Sequence, residues 1–400
     1  MTLRRSDILL VALATKLAFM VAIWVLSVDS GKGGLSPFDL GGDDGVVYSR
    51  ISAYIVEHGG APAFSLDSNL WPVGVGYLSL WSGVDHIIVY KLVQMISSVG
   101  MVLVCISMGR IVLGQIGLIN YSKTSYSILV LALCFLPSIL FFGSISLYRD
   151  QFLYFTFALS ILSLLRYFIS HSSVWIITFV VALVLLASVR WYAALAVMGG
   201  SLMFTVDRLR DSRRKKLVYL AVIVLVVAGG LAVASWIDLF GKYDKYVNTR
   251  SYFEKSDAGS NLGIDYANQP YWKLPILYSY SLISNVFGPL PFQVSGISTL
   301  VGALVEAPVV IIAFFIVYKG PSRHTAAGKI CMYCALSWFL LIAVYNDNLG
   351  TALRLRVLGS QLIFVLAACD ASYRYYKLKS IRIRNISVRY DKLHHMMIDG

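Results

Sequence analysis

Residues 173–206 read SVWIITFVVALVLLASVRWYAALAVMGGSLMFTV. Either side of Arg190 stands an apolar run of 16 or 17 residues (173–189 and 191–206), close to the length that crosses a bilayer as a helix. A charge is costly at such a depth unless it faces a cavity or a partner, so one arginine between two runs reads as a turn joining two membrane spans. Working outward, similar runs recur near 8–28, 87–108, 125–143, 151–168, 217–236, 298–318, 328–346 and 357–372. The chain of 400 residues is 58% hydrophobic and 14% charged, where a soluble domain carries roughly 25% charged residues. This predicts an all-α, polytopic membrane bundle of about 10 (10–12) transmembrane helices.

The net charge of +13 is a topology signal. Ten spans put both termini on one side, and that side receives most of the 34 Lys and Arg residues, including the runs 208–216 and 374–392. Positive-inside then predicts cytoplasmic termini and an uncleaved first span acting as an anchor. The basic, tyrosine-rich tail 373–400 is a stop-transfer cluster facing lipid headgroups, and it is too short to form a nucleic-acid-binding module. Cys105, Cys134, Cys331, Cys334 and Cys369 all fall within spans. They read as core thiols, and the six histidines make no metal-ligand spacing. No P-loop, GxGxxG or GxSxG is present, so nucleotide-driven chemistry is not expected.

Within the predicted bundle 1–372, two exported segments are too long and polar to be turns, 29–86 and 237–297. The first contains DLGGDDGVVYSRISAYIVEHGG, with Asp39, Asp43 and Asp44 just beyond the first span. From there Val47, Ile51, Tyr54 and Ile55 recur at helical spacing, predicting an interfacial helix, and NLWPVGVGYLSLW predicts a second one packed on it. One aspartate can cap the first helix, and two adjacent acids exceed what a cap needs. The second segment is rich in Tyr, Asn, Ser and Gly and includes Trp272, a mixture suited to sugars. Its apolar stretch 274–287 predicts a re-entrant or interfacial helix.

Three outer turns hold arginines beside apolar sequence: SLYRDQF (Arg149, Asp150), SVRWYAA (Arg190, Trp191, Tyr192) and NDNLGTALRLR (Asp347, Arg354, Arg356). A guanidinium offers two parallel donors to a phosphate. The plainer alternatives are an Arg149–Asp150 ion pair at a helix end and an Arg190 that snorkels to headgroups.

The acidic pair followed by Tyr48, then YIVEHGG and WPVGVGYL, resembles the opening of polytopic glycosyltransferases of the GT-C superfamily, which use polyprenyl-phosphate-linked sugars. PSILFFGSISLYRDQF, LLASVRWYAA, FGPLPFQ and NDNLGTALRLRV resemble bacterial polysaccharide-cluster membrane proteins, often described as glycosyltransferases or O-antigen-type repeat-unit polymerases. The resemblance implies Asp44 as catalytic base, with Tyr48 four residues on and Asp43 as the second choice. Arg149, Arg190, Arg354 and Arg356 would then receive the donor's leaving phosphate, with only one of the last two serving because they point differently on a helix. Tyr48, Asp150, Trp191, Tyr192 and Trp272 would line the substrate. Asp43 could hold the acceptor or a divalent cation, a weak ligand pattern; no other metal or cofactor is implied. The expected partners are a polyprenyl-linked donor, a glycan or lipid-linked glycan acceptor and a chain-length regulator. The expected location is the bacterial inner membrane with the site on the exported face. The competing reading is a lipid-linked sugar flippase or transporter, which tends to show repeated halves, and none appear here.

Overall fold

A computed structural model describes residues 5–38, 44–62, 69–118, 123–209, 262, 264 and 269–398. The described chain is helical: α1 (Arg5–Asp29), α2 (Asp44–His58), α3 (Trp71–Ser82), α4 (His86–Gln115), α5 (Lys123–Phe135), α6 (Pro137–Leu140), α7 (Phe142–Ile145), α8 (Asp150–Ser170) and α9 (Ser173–Leu209), followed by α10 (Leu274–Phe287), α11 (Ile297–Val301), α12 (Ala307–Tyr318), α13 (Ala326–Tyr345) and α14 (Leu349–Ile398). Among the described residues, seven stretches are long and apolar enough to cross a membrane, and α5 joined to 137–145 through a 54° bend makes eight. The expected span 217–236 and about half of the segment 237–297 lie outside the described residues, as do Asp39 and Asp43.

The helix α9 passes twice. A straight helix of 37 residues would be about 55 Å long. Yet both of its ends meet the same end of α8. Trp175 takes the Arg166 guanidinium over its ring at 5.8 Å, and Phe204 packs on Phe168 with ring centroids 5.3 Å apart. Its middle meets the other end of α8, where Arg149 Nη1 donates to the Val189 carbonyl at 3.0 Å. The chain therefore reverses at Arg190, whose φ of −156° and ψ of 90° are not helical. Counting α9 twice turns eight passages into nine.

The bend after α5 has an identifiable cause. Pro137 lacks the N–H that would bond the Leu133 carbonyl one turn back. Lys16, buried on α1, donates to that orphaned oxygen at 3.3 Å. The next amide, that of Ser138, leaves the helical ladder and bonds the buried Glu306 carboxylate, which also accepts from Ser138 Oγ at 2.6 Å. Glu306 is in turn ion-paired with Arg356. Two of the buried charges thus complete one proline break.

The core gathers α4, α5, α8, the second half of α9, α13 and α14 into one continuous cluster. Small residues let these backbones approach closely: a Cβ on Gly200 would stand 2.5 Å from the Cys334 Cα of α13. All five cysteines are buried in helices. As the pattern of 29–86 predicts, α2 and α3 pack together through Ile51, Ile55 and Val73. α10 has 14 residues, about 21 Å of helix and short of the roughly 30 Å hydrocarbon core. It runs parallel to α13, with Tyr278, Ser281 and Asn285 bonding the carbonyls of Leu340, Ala343 and Asn346. By length it falls among the shorter apolar helices and not among the spans.

The outer-turn reading of NDNLGTALRLR is corrected. Asn348 Oδ1 accepts from the Thr351 amide at 3.1 Å and caps α14, so the helix starts at Leu349 and holds both Arg354 and Arg356. Asparagine is a strong N-cap, and its helix begins eight residues before the apolar run at 357.

Candidate functional site

The site forms at the end of the bundle where α8 begins and α9 reverses. Asp44 opens α2 and is exposed; Tyr48, one helical turn later on the same face, is buried at 8% exposure. Three bonds hold this face in place. Tyr90 of α4 donates to the Tyr48 carbonyl at 3.2 Å, its hydroxyl lies 2.7 Å from Ser52 Oγ, and Ser52 donates to the Pro72 carbonyl at 2.7 Å. The amphipathic helix is thereby tied to α3 and α4.

The turn leading into α8 carries Arg149 and Asp150, and side chains hold its backbone. Lys91 donates to the Ser144 and Ser146 carbonyls, each at 3.2 Å. Gln94, one turn along α4, donates to Ser146 at 3.0 Å and Tyr148 at 2.7 Å. Trp71 Nε1 bonds the Leu147 carbonyl at 3.1 Å. Irregular backbone at this depth needs such partners, because lipid offers none. Lys91, Gln94 and Glu306 are absent from the sequence expectation. The legible signal was two polar side chains three residues apart within the apolar run 87–108.

Reversal at Arg190 frees helical carbonyls in the same way. The Leu70 amide bonds Ser188 O at 3.0 Å, and Arg149 takes Val189 O. This fixes Arg149 beside Arg190. Arg190 lies 5.3 Å over the Tyr192 ring, which stacks on Tyr345 and Trp338 at 5.2 and 5.6 Å, while Trp191 packs edge-on to Tyr345. Arg354 reaches from α14 to Asp150, Nε to Oδ2 at 2.6 Å, and its guanidinium stands 4.0 Å over Tyr148. Asp150 therefore pairs with Arg354.

The electrostatics place these groups in one field. Burial pushes the Tyr48 phenol above its ordinary pKa; the Arg149 guanidinium opposes this, the Asp44 carboxylate adds to it, and Arg190 and Arg354 oppose it. Burial and the neighbouring Arg190 charge push Arg149 below its usual value. Among the described residues, Arg149 Nε, Arg190 Nε and Nη1, and Asp150 Oδ1 are buried without a hydrogen-bond partner. Two neighbouring cations thus keep buried donors that no protein acceptor satisfies among the described residues.

Arg356 is not part of it. At 1% exposure, it serves Glu306 and the Gly288 carbonyl. Trp272 is 67% exposed, on the short turn before α10, and its ring faces Lys273. Among the described residues, no group of three or more His, Cys, Asp or Glu side chains is placed to hold a metal, so the cation expectation rests on Asp43, outside the described residues.

No protein-family model matches this chain, and no curated protein does. Among solved structures it resembles the archaeal oligosaccharyltransferase AglB from Archaeoglobus fulgidus in complex with an inhibitory peptide and a dolichol-phosphate, with a TM-score of 0.50 at 14% identity over 95% of this chain and 52% of that one. The apo form of the Archaeoglobus fulgidus enzyme aligns over the same shares at 14% identity with a TM-score of 0.47. The chain spans about half the length of the solved proteins it matches. The likeness is one of fold, a helical membrane architecture.

Proposed function

We propose that this chain is a membrane glycosyltransferase that moves a sugar or oligosaccharide from a polyprenyl-(pyro)phosphate donor to a glycan or lipid-linked glycan acceptor, in the synthesis of a cell-surface polysaccharide. The observation that carries this reading is the pair of open guanidinium edges on Arg149 and Arg190, sharing one field with the Asp44 carboxylate. Such a pair suits a phosphate leaving group, and a carboxylate suits the acceptor hydroxyl. The fold likeness to an enzyme solved with a dolichol-phosphate agrees with a lipid-linked donor.

In the proposed step Asp44 accepts the acceptor hydroxyl proton as that oxygen attacks the anomeric carbon. The bond from that carbon to the phosphate oxygen breaks, and its electron pair leaves on the phosphate, where Arg149 and Arg190 stabilise the charge. Direct attack inverts the anomeric centre, and the exposed Asp44 returns its proton to water. Arg354, already paired, orients Asp150 and the turn that carries Arg149. Arg110, Arg166, Arg208, Arg323 and Arg374 stand toward the other end of the bundle, which by the positive-inside rule supports a site on the exported face.

The test uses the full chain reconstituted with a labelled polyprenyl-pyrophosphate oligosaccharide. Asp44→Asn and Arg149→Ala should each abolish product while the protein still accumulates in the membrane. Full activity in both variants sinks the proposal. A ladder of long products on a gel assigns repeat-unit polymerisation, and one added unit assigns simple transfer.

A further inference from the structure

The far end of the bundle holds a cavity of about 370 Å³, walled by α8, the second half of α9 and the start of α13. Its volume falls in the range of ligand pockets, roughly 300–1,000 Å³. One wall is apolar: Phe168 and Phe204 meet edge to face at 5.3 Å, next to Ile330. The rim is charged. Lys329 Nζ is ion-paired with Asp207 at 2.6 Å, which leaves Arg208 as the charge in excess, its guanidinium 5.9 Å from the Phe168 ring centroid. His324 Nε2 lies 3.1 Å from the Arg323 Nε donor, so that nitrogen accepts and Nδ1 carries the ring proton as a donor.

Among the described lining residues, one net positive charge, an imidazole N–H donor and an apolar wall meet where three membrane helices end. We propose that this cavity seats one anionic phospholipid, its phosphate on Arg208 and its upper acyl chain against Phe168 and Phe204, in the leaflet opposite the candidate catalytic site. A phosphodiester carries a single negative charge, which matches the excess. A zwitterionic headgroup brings its own cation beside Arg208 and is disfavoured, and a soluble anion gains nothing from the apolar wall.

Native mass spectrometry of the full-length protein in detergent tests this with phosphatidylglycerol and phosphatidylcholine of identical chains, and with inorganic phosphate as competitor. The wild type should retain one phosphatidylglycerol in preference to phosphatidylcholine, and millimolar phosphate should not displace it. Arg208→Gln, at an exposed position, should weaken retention on the order of five-fold, the effect of one basic residue at a membrane surface. Ala326→Trp fills the cavity without changing charge and should abolish retention. Equal retention of the two lipids, or wild-type retention by Arg208→Gln, overturns the proposal. Displacement by inorganic phosphate overturns it in favour of a small-anion site.

Discussion

Asp150 and Arg354 stand 204 residues apart in the chain and 2.6 Å apart in space, joining the first residue of α8 to the second turn of α14. The carboxylate is 1% exposed and the guanidinium 14%. Removing one partner of a buried pair leaves an uncompensated charge and costs about 3–5 kcal/mol. Asp150→Asn and Arg354→Gln should therefore each lower the melting temperature in detergent. The double variant should lose less than the sum, because no lone charge remains. Additive losses would mean that the two side chains do not depend on each other.

Arg149 and Arg190 behave in the opposite sense. Each lies in the repulsive field of the other, and among the described residues three of their buried donors find no protein acceptor. Arg190→Gln should make the ligand-free protein more stable, by roughly 0.5–2 kcal/mol as for other removals of functional strain. The same variant should turn over donor at least 100-fold more slowly, the scale seen when an oxyanion donor is removed. Thermal unfolding and turnover on one preparation check both halves; a variant that is less stable and fully active refutes this view of the pair.

Much of this arrangement is legible in the sequence because it follows from local spacing. The reversal at Arg190 shows as one charge between two apolar runs, and the Asp44–Tyr48 relation as a spacing of four on an amphipathic helix. What stays hidden depends on freed backbone groups. Lys16 and Glu306 look like expensive charges until Pro137 is seen to orphan the Leu133 carbonyl and the Ser138 amide nearby. The clamp on residues 144–148 is equally silent, since its acceptors are carbonyls that every residue possesses. Arg354 and Arg356 read as turn residues because apolar periodicity starts at 357, whereas the helix starts at its asparagine cap.

Tyr48 gives a pH signature. Its folded-state pKa lies above the ordinary tyrosine value, with burial the largest cause. A raised pKa means that the stability due to the neutral phenol is fully present below the unfolded value, about 10, and is lost as pH rises beyond it. The wild type should therefore lose melting temperature more steeply between pH 10 and 11 than Tyr48→Phe, with matching slopes at pH 7–9. Identical slopes throughout would show that the phenol titrates as if it were exposed.

Lys91 and Gln94 form the last testable element. Together with Trp71 they occupy the carbonyls of Ser144, Ser146, Leu147 and Tyr148, and the next residue is Arg149. Lys91→Met keeps the length and apolar stem of the side chain while removing its bonds to the Ser144 and Ser146 carbonyls, the second of which keeps Gln94, so the turn should relax without collapse of the helix pair. A misplacement near 1 Å can cost about 100-fold in rate. If the clamp positions the arginine, kcat should fall by roughly 10- to 100-fold while donor KM changes less, because the phosphate still finds Arg190. Lys91→Arg, which restores a donor at that position, should recover part of kcat. A merely structural role predicts a different pattern: loss of melting temperature in proportion to loss of activity, and no recovery in the arginine variant. Measuring both quantities across Lys91→Met, Lys91→Arg and Gln94→Leu separates the two roles.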